Sequence, residues 1–187
     1  MEDSYANRLV THAEEKRIIA QKAVRLVEPK TSLYLDSGST AFCLASLFPD
    51  IPCVVTTSGL TCAMELSKLQ NPTLQMPGGL MNKNSYSVNG DVSVSTVGQL
   101  NFNMAFLGVT GYLSGGRFVT SVAEDYLLKR TVVANSQRVI ILMDSSKVGK
   151  VGTYTIASVD DVDTIVTDGS LPSKEVSFLE SKGIIVL

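Results

Sequence analysis

The sequence predicts an α/β fold, a mostly parallel sheet with helices on both faces, on three observations. Apolar runs of strand length alternate with segments of helical period almost to the C-terminus. The strand runs are apolar nearly throughout, as in "RVIILMD", so both faces of the sheet must be covered. No stretch rich in Pro, Gly or Ser divides the 187 residues, and no repeat is visible, so residues 1–187 form one domain.

In chain order, residues 14–28 place Ile19, Ala20, Ala23, Val24 and Val27 on one helical stripe that Pro29 ends. "SLYLD" reads as a strand, and "TAFCLASLF" as a helix opened by Ser39 or Thr40 as cap. "PCVVTTS" is the second strand, "GLTCAMELSKL" a helix, and "TLQMPGG" a third strand stopped by Pro77 and two glycines. "LMNKNSYSVNG" reads as a loop and residues 91–99 as a short helix. "MAFLGVTG" is a strand, and "VAEDYLLKRTVVANS" a helix carrying Val122, Tyr126, Leu127, Val133 and Ala134. "RVIILMD" and "VDTIVTD" are strands ending on Asp; the helix "SKEVSFLESKG" and the strand "IIVL" complete the chain.

Composition excludes several classes. A net charge of −2, scattered basic residues and no Trp make the chain itself a poor nucleic-acid binder. Three cysteines without a Cys-x-x-Cys pair, and one histidine, point to free thiols and no metal site. His12 reads as a surface residue. The polar N-terminus is no signal peptide, and no apolar run reaches the ~18 residues that span a bilayer, so a cytoplasmic protein with no membrane contact is expected. Neither a Walker loop nor a dinucleotide fingerprint is present, so no cofactor is expected. No Ser, Cys or His constellation suggests nucleophilic catalysis, so no catalytic residue is assigned.

In parallel sheets ligands sit beyond the carboxyl ends of the strands, which makes the strand exits the candidate site. At the first exit stand Asp36, Ser37, Gly38, Ser39 and Thr40. A helix beginning there offers unpaired amides and partial positive charge to an anion, with Gly38 allowing close approach and three hydroxyls adding donors. Asp36 repels a phosphate and suits sugar hydroxyls. Other exits supply Thr57, Ser58, Gly78, Gly79, Gly108 and Lys147, the last able to pair with a phosphate. Thr110, Gly111, Glu124 and Asp144 are further candidates. A plain capped turn and a solvated lysine are the ordinary alternatives at each place.

Taken in order, Arg8, "EEKRIIAQKA", "LYLDSGST", "VVTTS", "MPGG", "MAFLGVTG", "VIILMDSSK" and "VDTIVTD" resemble the C-terminal effector domain of the DeoR family of bacterial sugar-responsive repressors. The resemblance covers nearly the whole chain. It implies a sugar-phosphate isomerase-like fold, as in ribose-5-phosphate isomerase A, and a phosphorylated sugar as effector held by the loop at 36–40. It also implies an N-terminal winged helix-turn-helix outside this chain, through which alone operator DNA is bound, and a homo-oligomer matching paired half-sites. "TTS" stands where the family more often has "TNS", and "DSGST" where it has "DSGTT". The segment 80–90 is expected to select among sugars. The alternative is a sugar-phosphate isomerase or deaminase using Asp36, Glu124 or Lys147 in proton transfer.

Overall fold

The computed structural model describes residues 4–187. It opens with α1 (Tyr5–Val10) and α2 (Ala13–Ala23), joined at His12, whose left-handed backbone (φ 54°) turns the chain. Then come β1 (Ser32–Leu35), α3 (Ser39–Ser46), β2 (Val54–Thr57), α4 (Leu60–Leu66) and β3 (Thr73–Gln75). A hairpin of β4 (Leu80–Asn82) and β5 (Ser87–Asn89) leads to α5 (Asp91–Gly98) and β6 (Met104–Gly108). A second hairpin, β7 (Gly111–Leu113) and β8 (Arg117–Thr120), precedes α6 (Ala123–Ala134) and β9 (Val139–Leu142). β10 (Tyr154–Ser158), β11 (Thr164–Val166), α7 (Ser173–Ser181) and β12 (Ile185–Val186) end the chain.

Among the described residues, seven strands form one parallel sheet in the order β12-β11-β9-β6-β1-β2-β3. Side chains alternate between its faces. Leu33, Leu35, Phe106, Ile140 and Leu142 pack on one face with Ile19, Ala20, Leu44 and Cys62 of α2, α3 and α4. Tyr34, Ala105, Leu107, Ile141 and Ile165 pack on the other with Val97, Leu128, Val132 and Leu179 of α5, α6 and α7. Two cores on one sheet explain why its strands are apolar throughout.

Several elements differ from the sequence reading. Residues 80–90 are a hairpin, not a loop, and it lies across the exit of β2: Val88 N donates to Ser58 O and Leu60 N to Tyr86 O, both at 2.8 Å. Its inward side chains are Ser87 and Asn89, so no apolar alternation marks it. "MAFLGVTG" is two strands, because Gly108 ends β6 in the main sheet and Gly111 starts β7 in a separate antiparallel sheet, β10-β8-β7. α3 is capped by Gly38, and Ser39 is its first residue. α2 stops at Ala23 and tightens into a 3-10 turn. No helix among the described residues is long and apolar enough to cross a membrane.

Gly111 shows why glycine is needed at the second sheet. A Cβ there stands 1.9 Å from the carbonyl oxygen of Lys150. Gly111→Ala is therefore expected to cost about 1–3 kcal/mol through overpacking, read as a lower urea midpoint of unfolding.

Candidate functional site

β1 connects onward to β2 and β3 on one side, while β6, β9, β11 and β12 lie on the other, so the direction of winding reverses between β1 and β6. A crevice opens where the loops after two such strands part. Here it has a volume of about 380 Å³ and is lined by Asp36, Ser37, Gly38, Ser39 and Thr40 after β1 and by Gly108, Val109 and Thr110 after β6. Lys147, Lys150 and Val151 after β9, and Thr120, Ser121, Asp125 and Lys129 around the start of α6, extend the wall. The N-terminal helices add Arg8, Thr11, His12 and Lys16, and the β4–β5 turn adds Ser85.

α3 enters this space without a side-chain cap, and its first intrahelical bond runs from Phe42 N to Gly38 O. The amides of Ser39, Thr40 and Ala41 precede that bond and have no partner within the helix. Gly38 has ordinary extended geometry (φ −72°, ψ 166°), and a Cβ there meets only Asp36 Oδ2, at 4.0 Å. The loop is thus open towards the crevice.

Asp36 is only 1% exposed, and its Oδ2 is engaged by the protein. It accepts from Gly108 N at 2.9 Å and pairs with Lys129 Nζ at 2.8 Å. Lys129 Nζ also donates to Gly108 O at 2.9 Å. This ring ties the exits of β1 and β6 to α6 and holds the crevice walls in register. Asp36 thus braces the crevice through Oδ2 while still lining it.

Lys16, 4% exposed, donates to Thr11 O at 2.7 Å and to Arg8 O, the carbonyls that end α1. Burial pushes its ammonium below the usual lysine range; the Lys147 charge adds to the effect and the Asp144 carboxylate offsets part of it. Five cationic side chains, Arg8, Lys16, Lys129, Lys147 and Lys150, thus face two carboxylates, Asp36 and Asp125. A chain of net charge −2 concentrates positive charge in one cleft.

Of the candidates read from sequence, Asp36, Ser37, Gly38, Ser39, Thr40, Gly108, Thr110 and Lys147 come together at the crevice. The other seven do not line it. Thr57 Oγ1 accepts from Gly59 N, and Ser58 Oγ shares a hydrogen with Tyr34 Oη, both sealed beneath the β4–β5 hairpin. Thr57 of "TTS" therefore does not line this crevice. Gly78 O accepts from Ser93 Oγ, and Gly79 (φ 139°) turns the chain where Ser93 and Asn89 leave no room for a Cβ. Gly111 packs on Lys150 as described. Glu124 is exposed; its neighbour Asp125, about 100° round the helix, faces the crevice instead. Asp144 caps the turn after β9, its Oδ1 accepting from Ser146 N at 3.0 Å, while Oδ2 is buried with no hydrogen-bond partner.

Sequence reasoning missed Lys16 and Lys129, and put His12 outside the crevice. A signal existed for both lysines. Lys16 precedes Ile19 and Ala20 by three and four positions, and Lys129 precedes Val132 and Val133 likewise, so each interrupts a buried helical stripe. A lysine on an apolar stripe needs a partner. The thiols are unpaired, with Cys53 and Cys62 buried and Cys43 half-buried.

Comparisons with known proteins agree with this fold. The HTH-type transcriptional regulator YulB of Bacillus subtilis is 31% identical over 182 residues, covering 97% of this chain and 70% of that protein. The L-fucose operon activator of Haemophilus influenzae is 30% identical over 176 residues, covering 94% and 71%. Ribose 5-phosphate isomerase A from Methanocaldococcus jannaschii shares the fold with a TM-score of 0.55 at 15% identity, over 74% of this chain and 55% of that enzyme. The profile of the DeoR C terminal sensor domain matches residues 11–169. With the isomerase-like parallel sheet and a match over most of its length, the chain belongs to the DeoR C-terminal sensor domain family.

Proposed function

We propose that this chain is the effector-sensing part of a DeoR-type transcriptional repressor of sugar metabolism and that its crevice binds a phosphorylated sugar. The observation that carries this reading is the uncapped first turn of α3 facing a cluster of cationic side chains. The phosphate sits on the α3 amides and the hydroxyls of Ser37, Ser39 and Thr40, with Lys147 and Lys16 supplying charge. A winged helix-turn-helix ahead of α1 binds operator DNA, and the regulator acts as a homo-oligomer on paired half-sites. Arg8, Thr11, His12 and Lys16 belong to the segment from α1 to α2, so a ligand in the crevice bears directly on the helices that lead to that domain. Such coupling typically amounts to about 1–3 kcal/mol.

Calorimetry with ribose 5-phosphate, glucose 6-phosphate and fructose 6-phosphate beside their unphosphorylated parents tests the reading. At least one phosphate ester is expected to bind about a hundredfold more tightly than its parent, the worth of two charge-assisted hydrogen bonds. Equal binding of both sets, or turnover of a sugar phosphate at enzyme-like rates, overturns it. The pH profile adds a sign. Lys16 is charged in free and bound states at low pH, and above its lowered pKa it must take up a proton to bind an anion. Affinity is therefore expected to fall as pH rises through that pKa, below the range where an ordinary lysine titrates. Lys16→Met should bind more weakly and lose this fall.

A further inference from the structure

The crevice has a second end whose chemistry is opposite to that of the α3 cradle. Asp125 stands one helical turn before Lys129 on the same face of α6, about 5–6 Å along the axis from the lysine that grips Asp36. A carboxylate there repels a phosphate, which leaves that stretch of wall to the uncharged part of a ligand.

Asp125 is also held from behind. Asn89 Nδ2 donates to Asp125 Oδ1 at 3.2 Å and to Ser87 Oγ at 2.9 Å, and Ser87 Oγ lies 2.7 Å from Ser85 Oγ. Ser87 is 0% and Asn89 3% exposed, so β5 turns a polar face inward where an apolar pair would pack at lower cost. The buried Asn89 Oδ1 has no hydrogen-bond partner, an expense the fold accepts while both amide hydrogens are committed.

Proton bookkeeping orients the amide end of this chain. A carboxylate only accepts, so the amide nitrogen of Asn89 must face Asp125. Ser87 accepts from the same amide, and its hydroxyl shares one hydrogen with that of Ser85, either oxygen being able to donate. The hydroxyl of Ser85 also lines the crevice, where it can pair with a ligand hydroxyl. The two ends of one buried relay thus present a carboxylate, Asp125, and a hydroxyl, Ser85, to the same space. Two hydroxyls of a sugar meet that pattern, one donating to the carboxylate and one pairing with the serine hydroxyl. A bare phosphate does not.

We infer that Asp125, positioned by Asn89 and paired with Ser85, is the specificity-determining residue that reads the hydroxyls of the effector, so that the ligand lies with its phosphate on α3 and its polyol towards α6. This rests on the sugar-phosphate reading above and names which side chains select within that class. It also gives the β4–β5 hairpin its part: it carries Ser85, Ser87 and Asn89, and any change in its register resets the relay.

The test is calorimetry on the wild type and Asp125→Asn with inorganic phosphate, ribose 5-phosphate, glucose 6-phosphate, fructose 6-phosphate and glucosamine 6-phosphate, with circular dichroism as a check of folding. In the wild type the tightest sugar phosphate should exceed inorganic phosphate. In Asp125→Asn that preference is expected to fall about tenfold, the loss of one charged hydrogen bond. Inorganic phosphate itself should bind as well or slightly better, since a repelling charge is gone. A merely structural role for Asp125 predicts equal losses for both, and that result, or an unchanged preference, overturns the inference while leaving the sugar-phosphate reading standing. A wild type that prefers no sugar phosphate over inorganic phosphate overturns both. Should Asp125→Asn fail to fold, Ser85→Ala carries the same comparison, with the same loss of preference expected.

Discussion

Gly38→Val is expected to leave the chain folded and to abolish tight binding of the phosphorylated effector. The backbone at Gly38 is extended, a region open to any residue, and an added Cβ meets no protein atom nearer than 4.0 Å. Folding loses at most the preference of a helix cap for glycine over valine, about 1 kcal/mol. The new methyl groups enter the crevice where the α3 amides would meet an anion. Losing two hydrogen bonds to a charged group costs about 3 kcal/mol or more, about a hundredfold in affinity. Calorimetry with the tightest sugar phosphate and a urea titration on the same preparation separate the two effects. Unchanged affinity in the folded variant places the phosphate elsewhere.

Lys129→Met is expected to act on stability first. Asp36 and Lys129 are both buried, 2% and 9% exposed at their side chains, and 2.8 Å apart. Removing the lysine strands a carboxylate inside the protein, which costs about 3–5 kcal/mol, while removing both charges is far milder. The single variant should therefore unfold at a clearly lower urea concentration, and Asp36→Asn combined with Lys129→Met should recover part of the loss. A single variant as stable as the wild type would mean that the ring joining Asp36, Gly108 and Lys129 does not brace the switch point.

The parts of the site legible in the sequence are those built from consecutive residues. "DSGST" joins a strand to a helix, so its amides, hydroxyls and glycine reach the crevice together whatever else packs nearby. Lys147 follows β9 closely enough to share that fate. Thr57 and Ser58 occupy an equivalent exit in the sequence, yet the hairpin at 80–89 covers them. Nothing in "TTSG" records that covering, because the hairpin is held by backbone hydrogen bonds that any side chains permit. Glu124 and Asp125 stand side by side, and the rotation of one helix about its axis decides between them.

Alternating apolar runs and helical stripes were enough to determine a two-faced parallel sheet and a helix-opening turn of small residues after its first strand, since these follow from periodicity and local backbone chemistry. Tertiary structure alone decided that Arg8 and Lys16 close the crevice from the N-terminal side, that Lys129 ties Asp36 to Gly108, and that Asp125 rather than Glu124 faces the crevice. The physical reason is that each of these contacts joins residues distant in the chain. Buried charge has to find its partner wherever packing of the two cores brings one within reach.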